Sequence, residues 1–222
     1  MTGIMQSFVG GSYGYPNGWP VANIGDAYGG GFFAGQINVS GTKYNLVVAP
    51  KATGESSSKT WGNLATTTGI QSVINGPANS ASLAALGSSY QAATFCEGLT
   101  IGGYSDWYLP AKNELEVLYY FLKPTTTANN TSSGSNANAV APEPISTNYT
   151  SGNPSQTTAT AFKTGGSEAL EGTANHYWSS TEDNTSFDPP NYACRQYPDD
   201  GSQSLGRKDN TQYVRAVRRV LA

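Results

Sequence analysis

Few residues in this chain are placed to do chemistry. The single histidine, His176, stands beside Tyr177 and Trp178 at the start of an apolar stretch. A lone imidazole in such a place is ordinarily structural rather than a general base. No serine or cysteine sits beside a base in a known nucleophile motif, although separation along the chain does not exclude contact in space. Cys96 and Cys194 are too few for a disulfide framework or a zinc site, and one bridge or two free thiols both stay open. Calcium is the more serious cofactor, because Asp188-Pro189-Pro190-Asn191 and Pro198-Asp199-Asp200 offer oxygen ligands of the type it takes. Gly29-Gly30-Gly31 is strand punctuation, since it lacks the helix and lysine of a phosphate loop. The residues therefore predict no enzyme and no obligatory cofactor.

Composition favours binding. The 222 residues suit one large domain, or one with insertions, able to bury a core without staples. Only 12% of them are charged, against roughly 25% in ordinary globular proteins, and 26 Gly and 14 Tyr fill part of the gap. Polar uncharged loops with many aromatics suit a turn-rich β protein that touches ligands through Tyr and Trp. The net charge is -3, and the only basic cluster is Arg215, Arg218 and Arg219. Phosphate binding needs more clustered Lys and Arg than that, so no nucleic-acid partner is expected. No apolar run approaches the ~20 residues of a membrane-spanning helix, so no membrane insertion is expected either. Met1 to Gly11 has no basic region followed by an apolar stretch, and does not read as a secretory signal. A role outside the cell then implies another route, such as release by lysis within a phage particle.

The elements that must hold any site are short. Residues 1–28 read as an irregular lead-in or assembly segment, and residues 29–222 as the domain. Gly31 to Ile37 and Lys43 to Val48 form a hairpin around the Gly-containing turn Val39-Ser40-Gly41-Thr42. In the second strand Tyr44, Leu46 and Val48 alternate with Lys43, Asn45 and Val47, predicting one buried and one partly wet face. Trp61 is a core anchor in an otherwise loop-like stretch. Ser80 to Leu99 is a broken helix or two short ones, interrupted at Gly87-Ser88-Ser89. The clearest helix is Ala111 to Lys123, launched after Pro110, with Leu115, Leu118, Tyr119 and Leu122 on one stripe. Residues 124–174, rich in Thr, Ser, Asn, Gly and Pro, read as a long surface excursion, ordered by neighbours in an oligomer. Three strands close the chain: His176 to Ser180, Tyr192 to Tyr197, and Gln212 to Arg218, with Asp199-Asp200-Gly201 as a turn.

Four blocks carry a resemblance. They are Gly102-Gly103-Tyr104-Ser105-Asp106-Trp107-Tyr108-Leu109-Pro110, Asn113-Glu114-Leu115, Tyr177-Trp178-Ser179-Ser180-Thr181-Glu182 and Tyr213-Val214-Arg215-Ala216-Val217-Arg218. In that order they resemble the Lcl C-terminal domain family, the adhesin domain of collagen-like bacterial surface proteins, which also occurs in phage tail-fibre tips. The likeness spans about residues 30–220, with 124–174 as an insertion. It implies an α+β, C-type-lectin-like fold of short antiparallel strands, two helices and long loops. Formylglycine-generating enzymes share that fold, but their paired catalytic cysteines are absent here. The calcium-ligand triplet usual in sugar-binding C-type lectins is absent too. Read as residues, these blocks are scaffold: Trp107, Leu109 and Trp178 pack inward and Pro110 launches a helix.

The resemblance places ligand contact between the Trp-Ser-Ser block and the last strand. Here that stretch carries Asn184, Phe187, Asp188, Asn191, Tyr192, Arg195, Gln196, Tyr197, Asp199, Asp200, Gln203 and Arg207. Tyr supplies contact area at small entropic cost, and the amides and acids supply adaptable hydrogen bonds. The bland alternative is an ordinary wet surface of turns. Cys194 departs from the aromatic residue usual in the family, as an incidental thiol on a variable face would. The implied function is a phage tail-fibre or virion-surface receptor-binding protein that recognises a host glycan or protein. A homotrimer is expected, held to other virion proteins through its N-terminal segment. The rivals are a structural or decoration protein of the virion, and a bacterial surface adhesin located outside or on the cell.

Overall fold

The computed structural model describes residues 22–141, 145–172, 175–185 and 188–222. Most of the expected lead-in 1–28 and the candidate contact Phe187 lie outside the described residues. The hairpin forms where its turn predicts: β1 (Ala27–Tyr28) precedes β2 (Gly31–Val39), which turns back into β3 (Thr42–Val48). Tyr28 pairs with Gly31 and Ala27 with Phe32, so this sheet begins before residue 29. The predicted partly wet face of β3 is wet at its start, where Lys43 is exposed and Asn45 half-buried, and dry at its end, where Val47 is buried. Leu46 and Val48 pack into one core cluster and Val47 into the other, all fully buried. The strand is central, and strict alternation reads only one covered face.

A short helix α1 (Lys51–Gly54) leads into β4 (Glu55–Thr60). Two short helices follow, α2 (Gly76–Ala85) and α3 (Gln91–Glu97), parted at Gly87 as predicted. The long helix α4 (Lys112–Leu122) begins just after Pro110, and Glu114 Oε2 accepts the Ala111 N–H at 2.7 Å, satisfying one orphan donor of its first turn. The chain continues through β5 (Ala139–Ala141), β6 (Tyr177–Glu182), β7 (Tyr192–Gln196), β8 (Gln203–Arg207), β9 (Thr211–Arg215) and β10 (Val217–Leu221).

These elements make an α+β fold with two five-stranded sheets among the described residues. One runs β1-β2-β3-β10 with β5 also on β2, and the other runs β4-β9-β6-β7-β8. All pairings are antiparallel except a single parallel contact of β6 with β9 at Tyr177 and Tyr213. The predicted final strand Gln212 to Arg218 is thus two strands in two sheets. Ala216 at the joint donates its N–H to the Gly54 carbonyl at 2.9 Å, and the chain crosses there from one sheet to the other.

Two apolar clusters fill the interior. α4 packs on β2 and β3 with Ile145, Tyr149 and Phe162, while Trp61, Trp107 and Trp178 pack with α2 and α3. All three indoles are buried, and each N–H donates to a backbone carbonyl: Ser179 at 2.8 Å, Tyr104 at 3.1 Å and Lys59 at 3.0 Å respectively. The stretch 124–174 is therefore not merely a surface excursion. Four of its larger apolar residues, Ile145, Tyr149, Phe162 and Leu170, are buried. Their wide spacing in a Thr, Ser and Asn background hides them from any periodicity.

The basic C-terminus is spent internally. Arg215 binds Glu55 and Glu168 at 2.9 and 2.8 Å, Arg218 binds Asp106 at 2.7 Å, and Arg219 binds Glu114 at 2.6 Å. No free basic stripe survives there to meet a phosphate backbone.

Candidate functional site

The expected ligand residues ride on the β7–β8 hairpin and the loops at its two ends. Behind it lies β6, every residue of which is buried. The hairpin register runs from Tyr192 opposite Arg207 to Gln196 opposite Gln203. Gly206, opposite Ala193, is required by packing: a Cβ there would lie 2.5 Å from the Trp178 ring. The turn closes through Tyr197 N–H to the Ser202 carbonyl at 2.9 Å and Ser202 N–H to Asp200 Oδ1 at 2.8 Å. Gly201, at φ +76°, completes the predicted Asp-Asp-Gly turn, and the Tyr119 ring leaves no room for a side chain there.

The candidates fall into two groups, at opposite ends of β7. At the Tyr192 end the polar groups satisfy one another. The Asn191 amide donates to both Asp188 oxygens at 2.9 Å, and its oxygen accepts the Ala65 N–H at 2.7 Å. Arg207 pairs with Asp209 at 2.9 Å on the exposed surface. Beneath them the fully buried Lys208 ammonium reaches Glu182 at 2.6 Å and the carbonyls of Thr66 and Pro190 at 2.7 Å. Glu182 also accepts the N–H groups of Thr68 and Gly69 at 2.8 Å. This ion pair ties the 64–69 loop to the 188–191 loop. Asn184 is exposed beside it.

At the Gln196 end the polar groups are under-used. Arg195 is half-buried, donates to the Ser204 hydroxyl at 3.2 Å and has no carboxylate partner among the described residues. Lys112, at the start of α4, makes no side-chain hydrogen bond or ion pair with a described residue. The two cations border a small dent floored by Leu115, Ser179 and Gln196, with Gln203 beside them. Gln196 is buried, which corrects its place on the exposed face: its amide donates to Tyr149 Oη at 3.2 Å and to the Gly201 carbonyl at 3.3 Å. Its Oε1 has no donor. Tyr197 stacks on His176 with ring centroids 5.2 Å apart. Burial, helped by the Arg195 charge and opposed by Asp200, pushes that imidazole down to about 4. His176 is therefore neutral near pH 7 and belongs to the face, where the sequence reading left it as scaffold. Asp199 accepts the Thr127 hydroxyl at 3.0 Å on Oδ1 and the Thr125 hydroxyl at 2.7 Å on its carbonyl.

Neither oxygen set expected for calcium is gathered. Asp188 faces Asn191, Asp199 accepts from Thr127, Asp200 serves its own turn, and among the described residues no three His, Cys, Asp or Glu side chains converge on one point. Both cysteines are free. Burial raises both thiols, that of Cys194 to about 11, so neither is poised as a nucleophile near pH 7.

Comparison with protein families adds one finding. The profile of the Lcl C-terminal domain matches residues 55–218. The chain belongs to the Lcl C-terminal domain family. The match starts at β4, later than the resemblance placed it, so the β2–β3 hairpin precedes the family region. Within the Lcl region lie all three buried tryptophans and both ends of β7. Membership points to an adhesin-type surface protein. Comparison with curated proteins gives no match. Among the described residues no helix is long and apolar enough to cross a membrane.

Arg195, Tyr197 and Gln203 are named by residue type in the sequence, whereas Lys112 and the Lys208–Glu182 pair are not. No signal marks Lys112, which reaches the dent only because α4 packs against β6 and β7. Glu182 could have been singled out as the acid ending an otherwise scaffold-like block.

Proposed function

We propose that this chain is a receptor-binding module without enzymatic activity, carried at a phage tail or virion surface, that recognises a host glycan or surface protein. Its α+β architecture is read as C-type-lectin-like, with the β7–β8 hairpin presenting the binding face and a homotrimer as the working assembly. One observation carries the reading. Arg195 is half-buried on the hairpin with no acid among the described residues to neutralise it, beside the stacked pair Tyr197 and His176. A desolvated guanidinium is costly to leave unpaired, and a bound ligand is the natural source of the missing acceptor. Aromatic faces beside unspent donors are also what adaptable protein binding surfaces use. Family membership supports the adhesin class, and a bacterial surface adhesin would use the same face in another setting.

The test is binding of the labelled chain to host cells. Arg195→Ala with Tyr197→Ala should abolish binding while circular dichroism and Tm stay close to those of the parent. Arg207→Ala, at the self-satisfied end, should bind nearly normally. A folded double variant that adsorbs like the parent would remove this face from the reading.

A further inference from the structure

A cleft of about 240 Å³ opens between the 163–172 segment, α1 and the β7–β8 turn, lined among others by Lys51, Thr125, Thr164, Leu170, Glu171 and Asp199. We infer that this cleft is a carbohydrate subsite for one uncharged, hydroxyl-rich sugar ring, an inference that rests on the reading of the chain as a binding module.

Size comes first. At ~30 Å³ per water the cleft holds about eight waters, short of the roughly 300–1,000 Å³ that encloses a drug-sized ligand. One ring fits and a chain of rings does not.

Charge decides the class of ring. The Lys51 ammonium is paired with Glu171 Oε1 across the mouth. Glu171 Oε2 and Asp199 Oδ2 accept no hydrogen bond from a described residue, while Asp199 Oδ1 is taken by Thr127. Arg215 is consumed by Glu55 and Glu168, and the Lys123 ammonium donates to the Thr127 carbonyl and to Asn129. The charged side chains lining the cleft are thus one lysine and two carboxylates, which repel an anionic ligand. Ring hydroxyls answer this set: they donate to carboxylate oxygens and accept from an ammonium, and charge-assisted bonds of that kind are the strong ones. Leu170 and Ala169 give the wall a small apolar patch for the C–H side of a ring.

The walls are built before any ligand arrives. Thr164 N–H donates to the Pro124 carbonyl at 2.9 Å, Lys51 N–H to Glu168 Oε2 at 2.7 Å and Glu171 N–H to the Tyr177 hydroxyl at 2.9 Å. A pre-formed cleft spends little binding energy on ordering itself.

The probes are methyl glycosides of neutral hexoses and N-acetylhexosamines, set against glucuronic and sialic acids, read by saturation-transfer NMR on the full chain. Neutral glycosides should give transfer and the acidic sugars none. Gly172→Leu is the blocking variant, because a Cβ at Gly172 meets only ordinary contacts, Thr125 at 3.5 Å and Asp199 at 3.7 Å. It and Asp199→Ala should each weaken the neutral sugar roughly tenfold or more, with Tm near that of the parent. Arg195→Ala with Tyr197→Ala should leave sugar binding intact. Three results would overturn the subsite: no transfer from any neutral glycoside, equal transfer from acidic sugars, or binding that survives Gly172→Leu. The two readings fail separately. Host-cell adsorption lost only in the Arg195/Tyr197 variant, with no sugar bound, removes the subsite and keeps the face. Sugar bound in the cleft, with adsorption unmoved by the Arg195/Tyr197 variant, removes the face and keeps the subsite.

Discussion

The two ends of strand β7 are four residues apart and chemically opposite. At the Tyr192 end every charge is met: Lys208 by Glu182, Arg207 by Asp209, Asp188 by Asn191. At the Gln196 end, among the described residues, Arg195 and Lys112 have no acid and Gln196 Oε1 has no donor. Unmet hydrogen-bonding capacity costs stability in an isolated protein. One hairpin therefore combines a locked anchor with a face left open, and the proposed ligand contact lies at the open end.

The sharpest way to break this contrast is to unlock the anchor. Lys208→Met leaves Glu182 charged and buried with only backbone N–H partners, and should cost about 3–5 kcal/mol in urea unfolding. Lys112→Met, at the open end, should change stability by no more than about 0.5 kcal/mol. Comparable losses from both variants would erase the distinction.

A second test concerns the helix between the two ends. Glu116 on α4 is buried, pairs with no cation among the described residues, and accepts Asn136 Nδ2 at 2.8 Å and the Tyr149 hydroxyl at 2.7 Å. Tyr149 in turn receives the Gln196 amide. Burial outweighs both hydrogen bonds and raises this carboxyl from 4.5 to about 7. The folded chain therefore holds a proton that the unfolded chain has released. Its contribution is fully present below pH 4.5 and is lost as pH rises through about 7. The loss is on the order of 3 kcal/mol, read as a fall in urea midpoint across that window. Glu116→Gln should flatten the slope.

Much of this scaffold was legible and some was not, for physical reasons. The β2–β3 hairpin and α4 were readable because a turn and an apolar stripe are local signals. β4, Glu-Ser-Ser-Ser-Lys-Thr, has no apolar residue, and it is a strand because β9 offers hydrogen bonds to its backbone. β8 is equally faint, its Gly206 chosen by Trp178 rather than by strand propensity. The break at Ala216 is invisible because alternation continues while the partner sheet changes. In the site, Arg195 and Tyr197 stood out by residue type, but what sets them apart is the absence of partners. That absence is a property of packing, and Lys112 and His176 join them only in three dimensions.

The third prediction measures binding directly. If a ligand acid or hydroxyl fills the gap beside Arg195, Arg195→Ala should weaken attachment by about 10–100-fold, the range of a charge-assisted hydrogen bond of about 1.5–3 kcal/mol. Arg207→Ala should weaken it less, because Asp209 already neutralises that guanidinium. Surface plasmon resonance on immobilised host envelope would rank the two, and the reverse order would move the face to the Tyr192 end.

The smallest effect is the cleanest reporter. His176 is the chain's only histidine, so its imidazole proton resonance can be followed without assignment ambiguity. Burial holds its pKa down at about 4, the Arg195 charge adds to the depression, and Asp200 works against it. Arg195→Ala should therefore move the titration upward, and Asp200→Asn should move it further down. Burial is the larger cause, so Arg195→Ala should not restore the ordinary 6.5. A ligand that neutralises Arg195 without shielding His176 should mimic the first variant, shifting the same resonance upward at saturating concentration. If Arg195→Ala leaves the titration where it was, the guanidinium is not facing the stacked pair. The open end of β7 would then lose the group that distinguishes it from the locked one.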